Sequence, residues 1–185
     1  MKQNTNYTTE SKESAREGTL LIVDDEKSIR NSLREILEFE GFEVLEASNG
    51  DKTFEVLQQR GVDLLLLDIK MEGMDGVEVL KKMKSDGYIC PVIMLTGHGN
   101  VEVAVEATQL GAFDFLQKPP DLNRLLISIR NAIEQGAQAI ERIAASVSAP
   151  GGEEAVKLRL AEQYLDTIAK LGKEENEGLL PADLT

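Results

Sequence analysis

The sequence has no tryptophan, a single cysteine and no long apolar run, and each absence excludes a class of protein. Cys90 alone cannot build a disulfide framework, and the N-terminus has no apolar segment of the kind that directs export. No interior stretch of about 20 apolar residues is available to span a bilayer. We therefore expect a soluble, cytoplasmic protein without a membrane segment, built as one domain of ordinary size with extensions.

A surplus of basic residues is also missing. The net charge of -13 is divided into about 0 for residues 1–18, -9 for residues 19–140 and -4 for residues 141–185. Nucleic-acid phosphates are bound by clusters of lysine and arginine, and unstacked bases by aromatic side chains, which make up only 4% of this chain. We therefore expect no nucleic-acid binding by this chain alone.

Short apolar strands alternate with amphipathic helices along the chain. Four consecutive leucines, Leu64 to Leu67, predict a strand buried on both faces, as in the centre of a parallel sheet. The remaining strands are predicted over residues 19–23, 43–47, 91–95 and 113–117, and helices over 27–40, 50–60, 77–84, 101–110 and 122–143. This alternation predicts an α/β fold, a doubly wound five-stranded parallel sheet with helices on both faces.

Composition divides the chain into four segments. Residues 1–18 are polar and are predicted to be a disordered leader, and residues 19–135 form the domain. Residues 136–152 hold an extension of the last helix and a linker, and residues 153–185 hold an amphipathic helix and an acidic tail.

The apolar stripe of the last helix continues beyond the point where docking on the domain should finish. Its members there are Ala137, Ile140, Ala144 and Val147. This extended last helix either pairs two chains into a homodimer or is a frayed helix end.

Chemically active side chains stand at the ends of four predicted strands. Asp24 and Asp25 follow the first strand, Asp68 ends the leucine strand, and Thr96 and Lys118 follow the fourth and fifth. The carboxyl ends of strands in an open parallel sheet meet at one crevice. We therefore expect these five side chains to lie close together.

Neighbouring carboxylates raise the free energy of ionising one another, and a bound divalent cation would relieve this repulsion. Oxygen ligands without clustered histidine or cysteine favour Mg²⁺. Asp68 is then a metal ligand, a nucleophile that forms an acyl phosphate, or both, with Thr96 and Lys118 contacting the phosphoryl group. The alternative is that Asp24 and Asp25 cap the first helix, that Thr96 is a turn residue and that Lys118 is solvated.

Several motifs in a fixed order closely resemble the receiver domain of bacterial two-component response regulators. They are Asp24-Asp25, the segment from Asp68 to Gly76, Thr96-Gly97-His98-Gly99 and the segment from Gly111 to Pro119. The resemblance covers roughly residues 19–135 and is strongest to the receivers of enhancer-binding transcription activators. It implies a flavodoxin-like sheet of strand order 2-1-3-4-5.

The resemblance also implies signal transduction by phosphorylation. A histidine kinase or phosphotransfer protein would transfer a phosphoryl group to Asp68, making this chain a phosphoprotein. Mg²⁺ would be held by Asp25, Asp68 and the main-chain carbonyl of Lys70, with Asp24 acting through water. Such a receiver is not an enzyme in the usual sense, because it catalyses only its own phosphorylation and dephosphorylation.

The same resemblance implies roles for five side chains in gripping the phosphoryl group, in switching and in its removal. Thr96 and Lys118 would grip the phosphoryl group, and Thr96 would act as a switch together with the inward rotation of Phe115. The repacked face would then contact an unknown downstream protein. The alternative for Phe115 is a core aromatic. The side chains of Lys70 and His98 are predicted to affect how quickly water removes the phosphoryl group.

The output and two rival functions stay open at this point. Enhancer-binding activators continue into an ATPase and a DNA-binding domain, but this sequence has no GxxxxGK phosphate loop, so we expect a truncated or stand-alone regulator that acts by protein contact. One rival is a Mg²⁺-dependent phosphohydrolase with an aspartyl nucleophile, although such enzymes usually carry that nucleophile after their first strand. The other is a non-phosphorylated interaction module with the same fold.

Overall fold

The computed structural model describes residues 17–97 and 101–148. The strands are β1 (Thr19–Val23), β2 (Glu43–Ala47), β3 (Leu64–Asp68), β4 (Val92–Thr96) and β5 (Asp114–Gln117). The helices are α1 (Lys27–Phe39), α2 (Gly50–Gln59), α3 (Gly76–Ser85), α4 (Val101–Gln109) and α5 (Leu122–Ser148). Each element predicted between residues 19 and 143 is therefore present in the predicted order, whereas the helix predicted within residues 153–185 lies outside the described residues.

The five strands form one parallel sheet in the order β2-β1-β3-β4-β5. The chain winds outward in both directions from the β1 and β3 pair, where Leu20 is aligned with Leu64. The loops that follow these two strands therefore leave the sheet on opposite sides and open a crevice at its carboxyl edge. The predicted doubly wound, flavodoxin-like α/β fold is confirmed.

The leucines of β3 divide the apolar core into two layers. Leu64 and Leu66 point into the layer that contains α1 and α5, whereas Leu65 and Leu67 point into the layer of α2, α3 and α4. All four side chains are fully buried, and burying each leucine contributes about 1.5–3 kcal/mol. The central strand is thus anchored from both faces, which fixes the position of Asp68 at its end.

Side-chain caps set where α2 and α3 begin. Asp75 and Glu78 form a reciprocal capping box at α3, in which each carboxylate accepts the other residue's main-chain N–H at 2.8 Å. Asn49 caps α2 by accepting the N–H of Lys52 at 2.9 Å. Positive φ angles at Gly41 and Gly111 turn the chain away after α1 and α4.

Two boundaries differ from the sequence prediction by more than one residue. α5 continues to Ser148 rather than ending near residue 143, because the sequence offers no proline or glycine between Gly136 and Pro150 to stop it. The leader is predicted to end at residue 18, yet the Glu17 N–H donates to the Gly41 carbonyl at 3.2 Å. The ordered domain therefore includes residues 17 and 18.

The periodicity of the sequence places Ile36 in an apolar stripe of α1, and Leu122, Leu125 and Ile129 in the stripe by which α5 docks on the domain. Ile36 is 37% exposed and Leu122 is 41% exposed, more than this pattern predicts, whereas Leu125 and Ile129 are buried as it predicts. None of the helices in the described part of the chain combines the length and the hydropathy that crossing a bilayer requires. The predictions for residues 1–16, for His98 and for the chain after Ser148 lie outside the described residues.

Candidate functional site at the carboxyl edge of the sheet

The structure brings the predicted strand-end residues together. Asp24 directly follows β1, Asp68 and Thr96 are the last residues of β3 and β4, and Lys118 directly follows β5. These four residues lie at the carboxyl edge of adjacent strands, where the crevice opens. The position of each side chain follows from the strand that carries it.

Three carboxylates form the centre of this site. Asp24, Asp25 and Asp68 each offer an oxygen atom that lies within 4.8 Å of the corresponding atom of the other two. Asp24 is 1% exposed and Asp68 is 4% exposed, whereas Asp25 is exposed to solvent. The cluster therefore has two buried acids and a third at its rim.

Lys118 joins the two buried acids. Its Nζ lies 2.5 Å from Asp24 Oδ2 and 2.9 Å from Asp68 Oδ1, and its side chain is largely buried. Its main-chain N–H donates to the Thr96 carbonyl at 2.6 Å, and the Lys118–Pro119 peptide bond is cis. The alternative that Lys118 is a solvated lysine is wrong.

Burial and hydrogen bonding have opposite effects on the pKa values of Asp68 and Lys118. Burial raises the pKa of Asp68 above its ordinary value of 3.8; the hydrogen bond from Lys118 lowers this pKa, and the negative charges of Asp24 and Asp25 raise it further. Burial lowers the pKa of Lys118, but hydrogen bonds and charges from Asp24 and Asp68 outweigh burial and raise this pKa above 10.5. The lysine therefore stays charged, and Asp68 holds a proton at a higher pH than an ordinary carboxyl.

The acid pair after β1 does not provide the N-cap of α1. That position is occupied by Glu26, whose side chain makes no capping bond. Asp24 instead accepts the Glu26 N–H through Oδ1 at 2.9 Å, and its main-chain carbonyl accepts from Arg30 Nη1 at 2.7 Å. Sequence reasoning missed Arg30, and the only signal was an arginine less than two turns into the helix that follows the acids.

The loop after β3 passes very close to Asp68. The Gly76 N–H donates to the Ile69 carbonyl at 2.9 Å, which closes the loop that holds Lys70. A Cβ atom at position 76 would lie 2.2 Å from the Asp68 carbonyl oxygen, so only glycine fits there. The main-chain role of Lys70 stays a prediction.

Thr96 and Phe115 occupy neighbouring strands. The Thr96 side chain is buried at the end of β4, and Phe115 pairs in register with Met94 of β4. Phe115 is half-buried and packs against the core layer of α2, α3 and α4. Their joint action as a switch stays a prediction.

The side chains present fit a magnesium ion. Lys118 pairs with two of the three carboxylates, so the cluster keeps an excess of negative charge that a divalent cation would balance. Carboxylate oxygens are the ligands that Mg²⁺ prefers, and one or two of them are usually enough. The increase that Asp24 and Asp25 cause in the pKa of Asp68 is the sign of the repulsion that such an ion would relieve.

An apolar groove adjoins the acid cluster. It encloses about 570 Å³ between α1 and the turn that leads into α5. Lys118 lies at its end, so the groove and the acid cluster share a residue. The apolar residues that line it include Ile29, Leu33, Ile36, Pro119, Pro120 and Leu122.

Comparison with known proteins confirms the resemblance to receiver domains. The family described as the response regulator receiver domain matches residues 20–130, and the family described as the C-terminal region of band_7 matches residues 141–185. The putative response regulator NtrX-like of Rickettsia bellii is 39% identical over 117 residues, which is 62% of this chain and 24% of that protein. The transcriptional regulatory protein FixJ of Bradyrhizobium diazoefficiens is 37% identical over 134 residues, which is 71% of this chain and 65% of FixJ.

Solved structures agree with these matches. A response regulator receiver domain protein from Clostridium thermocellum superposes with a TM-score of 0.63 at 33% identity, covering 66% of this chain and 98% of that protein. NtrX from Brucella abortus superposes with a TM-score of 0.62 at 36% identity, covering 67% of this chain and 28% of NtrX. The similarity to NtrX and NtrX-like proteins thus spans about a quarter of their length.

Proposed function

Because this chain belongs to the response regulator receiver family of two-component systems, we propose that Asp68 accepts a phosphoryl group from a histidine kinase or phosphotransfer protein. A carboxylate oxygen of Asp68 would form a bond to phosphorus as the bond between phosphorus and the donor's histidine nitrogen breaks. The nitrogen would leave with the electron pair of that bond. The product is an acyl phosphate on Asp68.

The observation that carries this proposal is the position of Lys118 between Asp24 and Asp68. Its charge would offset the negative charge that the incoming phosphoryl group adds to an acidic site. Thr96, at the end of the adjacent strand, would donate a hydrogen bond to a phosphoryl oxygen. These groups are held by the sheet before the donor arrives.

Magnesium is part of the proposal. Asp25, Asp68 and the main-chain carbonyl of Lys70 would hold Mg²⁺, with Asp24 acting through water. When bound, the ion neutralises charge that develops on the transferred group. The carboxylates would keep the ion beside Asp68, and Asp24 would also keep Lys118 in place through their 2.5 Å contact.

One experiment tests the proposal against its rivals. The protein is incubated with Mg²⁺ and a small acyl phosphate, and incorporation of phosphate is measured by mass spectrometry. We expect one phosphoryl group on Asp68 that is lost in Asp68→Asn, kept in Asp51→Asn on the exposed start of α2, and absent with a chelator. Multiple turnover of a phosphate ester would favour the phosphohydrolase, and no labelling of the wild type would favour the non-phosphorylated interaction module.

The phosphodonor protein needs a surface beside Asp68. The groove between α1 and the start of α5 is an apolar surface that includes Lys118, and Ile36 and Leu122 are exposed along it. A helix of the donor laid along this groove would bring its histidine to the carboxyl edge of the sheet. The proposed docking face is therefore α1 with the β5–α5 turn.

The proposed binding surface for the downstream protein is formed by α4, β5 and α5 and is distinct from the groove. Movement of Thr96 toward the phosphoryl group would leave space for the half-buried Phe115 to turn inward. This would repack the surface formed by α4, β5 and α5, on which Val101, Val105 and Ile127 are already exposed. A downstream protein would bind the repacked surface.

The segment after residue 135 is proposed to be an association element that is separate from the receiver of residues 19–135. Ile140 is 57% exposed and Val147 is 40% exposed on the helix extension, and they continue the apolar stripe by which α5 docks on the domain. The match to the C-terminal region of band_7 begins at residue 141, just after the receiver ends. Spacing of seven residues between these β-branched side chains suits a two-stranded helix pair, so the proposed assembly is a homodimer.

Sedimentation of the full chain tests the homodimer with and without beryllofluoride as a mimic of the acyl phosphate. We expect a dimer in at least one state and its loss in the double variant Ile140→Asp and Val147→Asp. Ile127→Asp, on an exposed position of the receiver part of α5, is the control. A monomer in both states would refute the pairing helix.

A further inference from the structure

Arg30 reaches from α1 to the acid pair although it is not itself at a strand end. Its side chain is only 12% exposed, and its Nη1 donates to the Asp24 carbonyl oxygen at 2.7 Å. On its other side, Nε lies 3.8 Å from Glu46 Oε2 of β2. A buried guanidinium thus bridges the carboxyl edge of β1 and the neighbouring strand β2.

The contact with Arg30 completes the fixation of Asp24. The Asp24 N–H donates to the Ala47 carbonyl at 3.2 Å, Oδ1 accepts from the Glu26 N–H, and Oδ2 contacts Lys118. The carbonyl oxygen is the remaining polar group of the residue, and Arg30 holds it. Each hydrogen-bonding group of this acid therefore has a partner.

Holding the Asp24 carbonyl also sets the direction of Asp25. The carbonyl of Asp24 and the N–H of Asp25 belong to one planar peptide unit, so rotation of that unit would swing the Cα of Asp25. The Asp25 side chain is exposed, and its direction depends on its backbone more than on packing. Its oxygen nevertheless lies within 4.8 Å of those of Asp24 and Asp68.

We infer that Arg30 is a positioning residue for the divalent cation, because its bond to the Asp24 carbonyl holds the Asp24–Asp25 peptide so that both carboxylates face Asp68. Glu46 supports the guanidinium from β2. The inference rests on the proposed function of the three acids as the magnesium site. Arg30 does not contact the ion, since it acts through the main chain of Asp24.

Electrostatics and positioning predict opposite effects when Arg30 is removed. Loss of a positive charge near three carboxylates, taken alone, would strengthen the binding of a cation. Loss of the bond to the Asp24 carbonyl would weaken binding, because the carboxylates would lose their common orientation. Partners that orient metal ligands typically contribute about 10- to 100-fold in metal affinity.

Arg34 provides a matched control. It lies one turn further along α1, and its Nη2 is 3.2 Å from the same Glu46 Oε2 that faces Arg30. Its other ion pair joins Nε to Glu38 Oε1 at 3.9 Å, within α1. An Arg34→Met variant therefore removes the same charge and the same ion-pair partner but leaves the bond to the Asp24 carbonyl.

The test measures Mn²⁺ binding to the full chain by calorimetry and by electron paramagnetic resonance, neither of which depends on phosphorylation. We expect Arg30→Met to weaken binding about 10- to 100-fold, with Arg34→Met within about twofold of the wild type. Arg30→Lys should recover part of the loss, because an ammonium group also donates to a carbonyl. Thermal unfolding in chelator should show similar stability for the two methionine variants.

Two results would overturn the inference. Equal Mn²⁺ affinity in Arg30→Met and the wild type would remove the positioning role, as would an equal loss in Arg34→Met. If Arg30→Met does not fold, Glu46→Gln takes its place, and unchanged Mn²⁺ affinity in that variant would contradict the support from β2. A wild-type protein that does not bind Mn²⁺ would instead refute the proposed function itself.

Discussion

Lys118 Nζ lies 2.9 Å from Asp68 Oδ1, although β4 separates the strands that carry these two residues. The lysine reaches across the end of β4, and its own main-chain N–H bonds to the Thr96 carbonyl there at 2.6 Å. The end of β5 is thereby tied to β4 at Thr96 and to the acids beyond it. A change at Asp68 therefore acts directly on the end of β5.

Replacing this lysine should slow phosphoryl acceptance. Lys118→Met leaves the carboxylates without their cation, and a hydrogen bond to a charged group contributes about 1.5–3 kcal/mol. We expect the rate of Asp68 labelling by a small acyl phosphate to fall roughly 10- to 100-fold. Lys52→Met is the control, because that exposed lysine of α2 donates to Ser48 Oγ in the turn before the helix. Equal rates in the two variants would contradict the role of Lys118.

The stability of the fold should depend on the ionisation of Asp68. Because the folded protein raises the pKa of this carboxyl, chiefly by burial, its ionised form destabilises the fold. That cost is fully present above the raised pKa and disappears as the pH falls to the ordinary value of 3.8. We expect Asp68→Asn to be more stable than the wild type in urea at pH 7, with the difference narrowing toward pH 4.

Adding Mg²⁺ tests whether the stability difference between Asp68→Asn and the wild type comes from the charge of Asp68 or from a change in packing. The ion should stabilise the wild type at pH 7 and should have much less effect on Asp68→Asn, since the variant lacks one of the proposed ligands. A stability difference that does not change between pH 7 and pH 4 would show that ionisation of Asp68 is not its cause.

Glycine at position 76 should be essential for the fold around the site. A Cβ there would overlap the Asp68 carbonyl oxygen at 2.2 Å and the Ile69 Cα at 2.9 Å, both of them main-chain atoms that cannot rotate away. We expect Gly76→Ala to lose about 1–3 kcal/mol or more of unfolding free energy in urea. It should also weaken Mn²⁺ binding, because the overlap displaces the end of β3.

Gly61 is the matched control for that substitution. A Cβ at position 61 would have no heavy atom within 4 Å, and its φ is not positive. Gly61→Ala should therefore leave stability unchanged or raise it by about 0.4–1 kcal/mol through the unfolded state. Equal destabilisation by both alanines would refute the steric argument at Gly76.

A charged side chain introduced into the groove should impair docking of the phosphodonor protein without impairing phosphorylation of Asp68 itself. Ile36 lines the groove and is already 37% exposed, so Ile36→Glu should fold. We expect this variant to accept phosphate from a small acyl phosphate at the wild-type rate but at least about tenfold more slowly from a phosphorylated histidine protein. Ile127→Glu, on the α4–β5–α5 surface, should lose neither. Equal slowing with both donors would show that Ile36 affects the site itself.

Much of this structure could be predicted because its information is local. The run from Leu64 to Leu67 identifies the central strand, and the reactive side chains come directly after strand ends that a parallel sheet must bring together. Gly41 and Gly111 mark helix ends for a similar reason, since few other residues adopt a positive φ.

The parts that could not be predicted depend on distances between elements. Arg30 contacts the main-chain carbonyl of Asp24, and neither the spacing of the sequence nor the residue type predicts that contact. Ile36 and Leu122 belong to apolar stripes, but α1 and the start of α5 stand far enough apart to leave a groove between them. Four identical leucines likewise give no indication of which core layer each one enters.

The sheet that separates the two core layers also separates the groove from Phe115. The groove beside Lys118 belongs to the layer of α1 and α5, whereas Phe115 packs into the layer of α2, α3 and α4. If the groove is the docking site for the phosphodonor, as proposed, substitutions there would change donor recognition while leaving the packing around Phe115 intact. Recognition of the donor and the response of the aromatic could then diverge independently among related receivers.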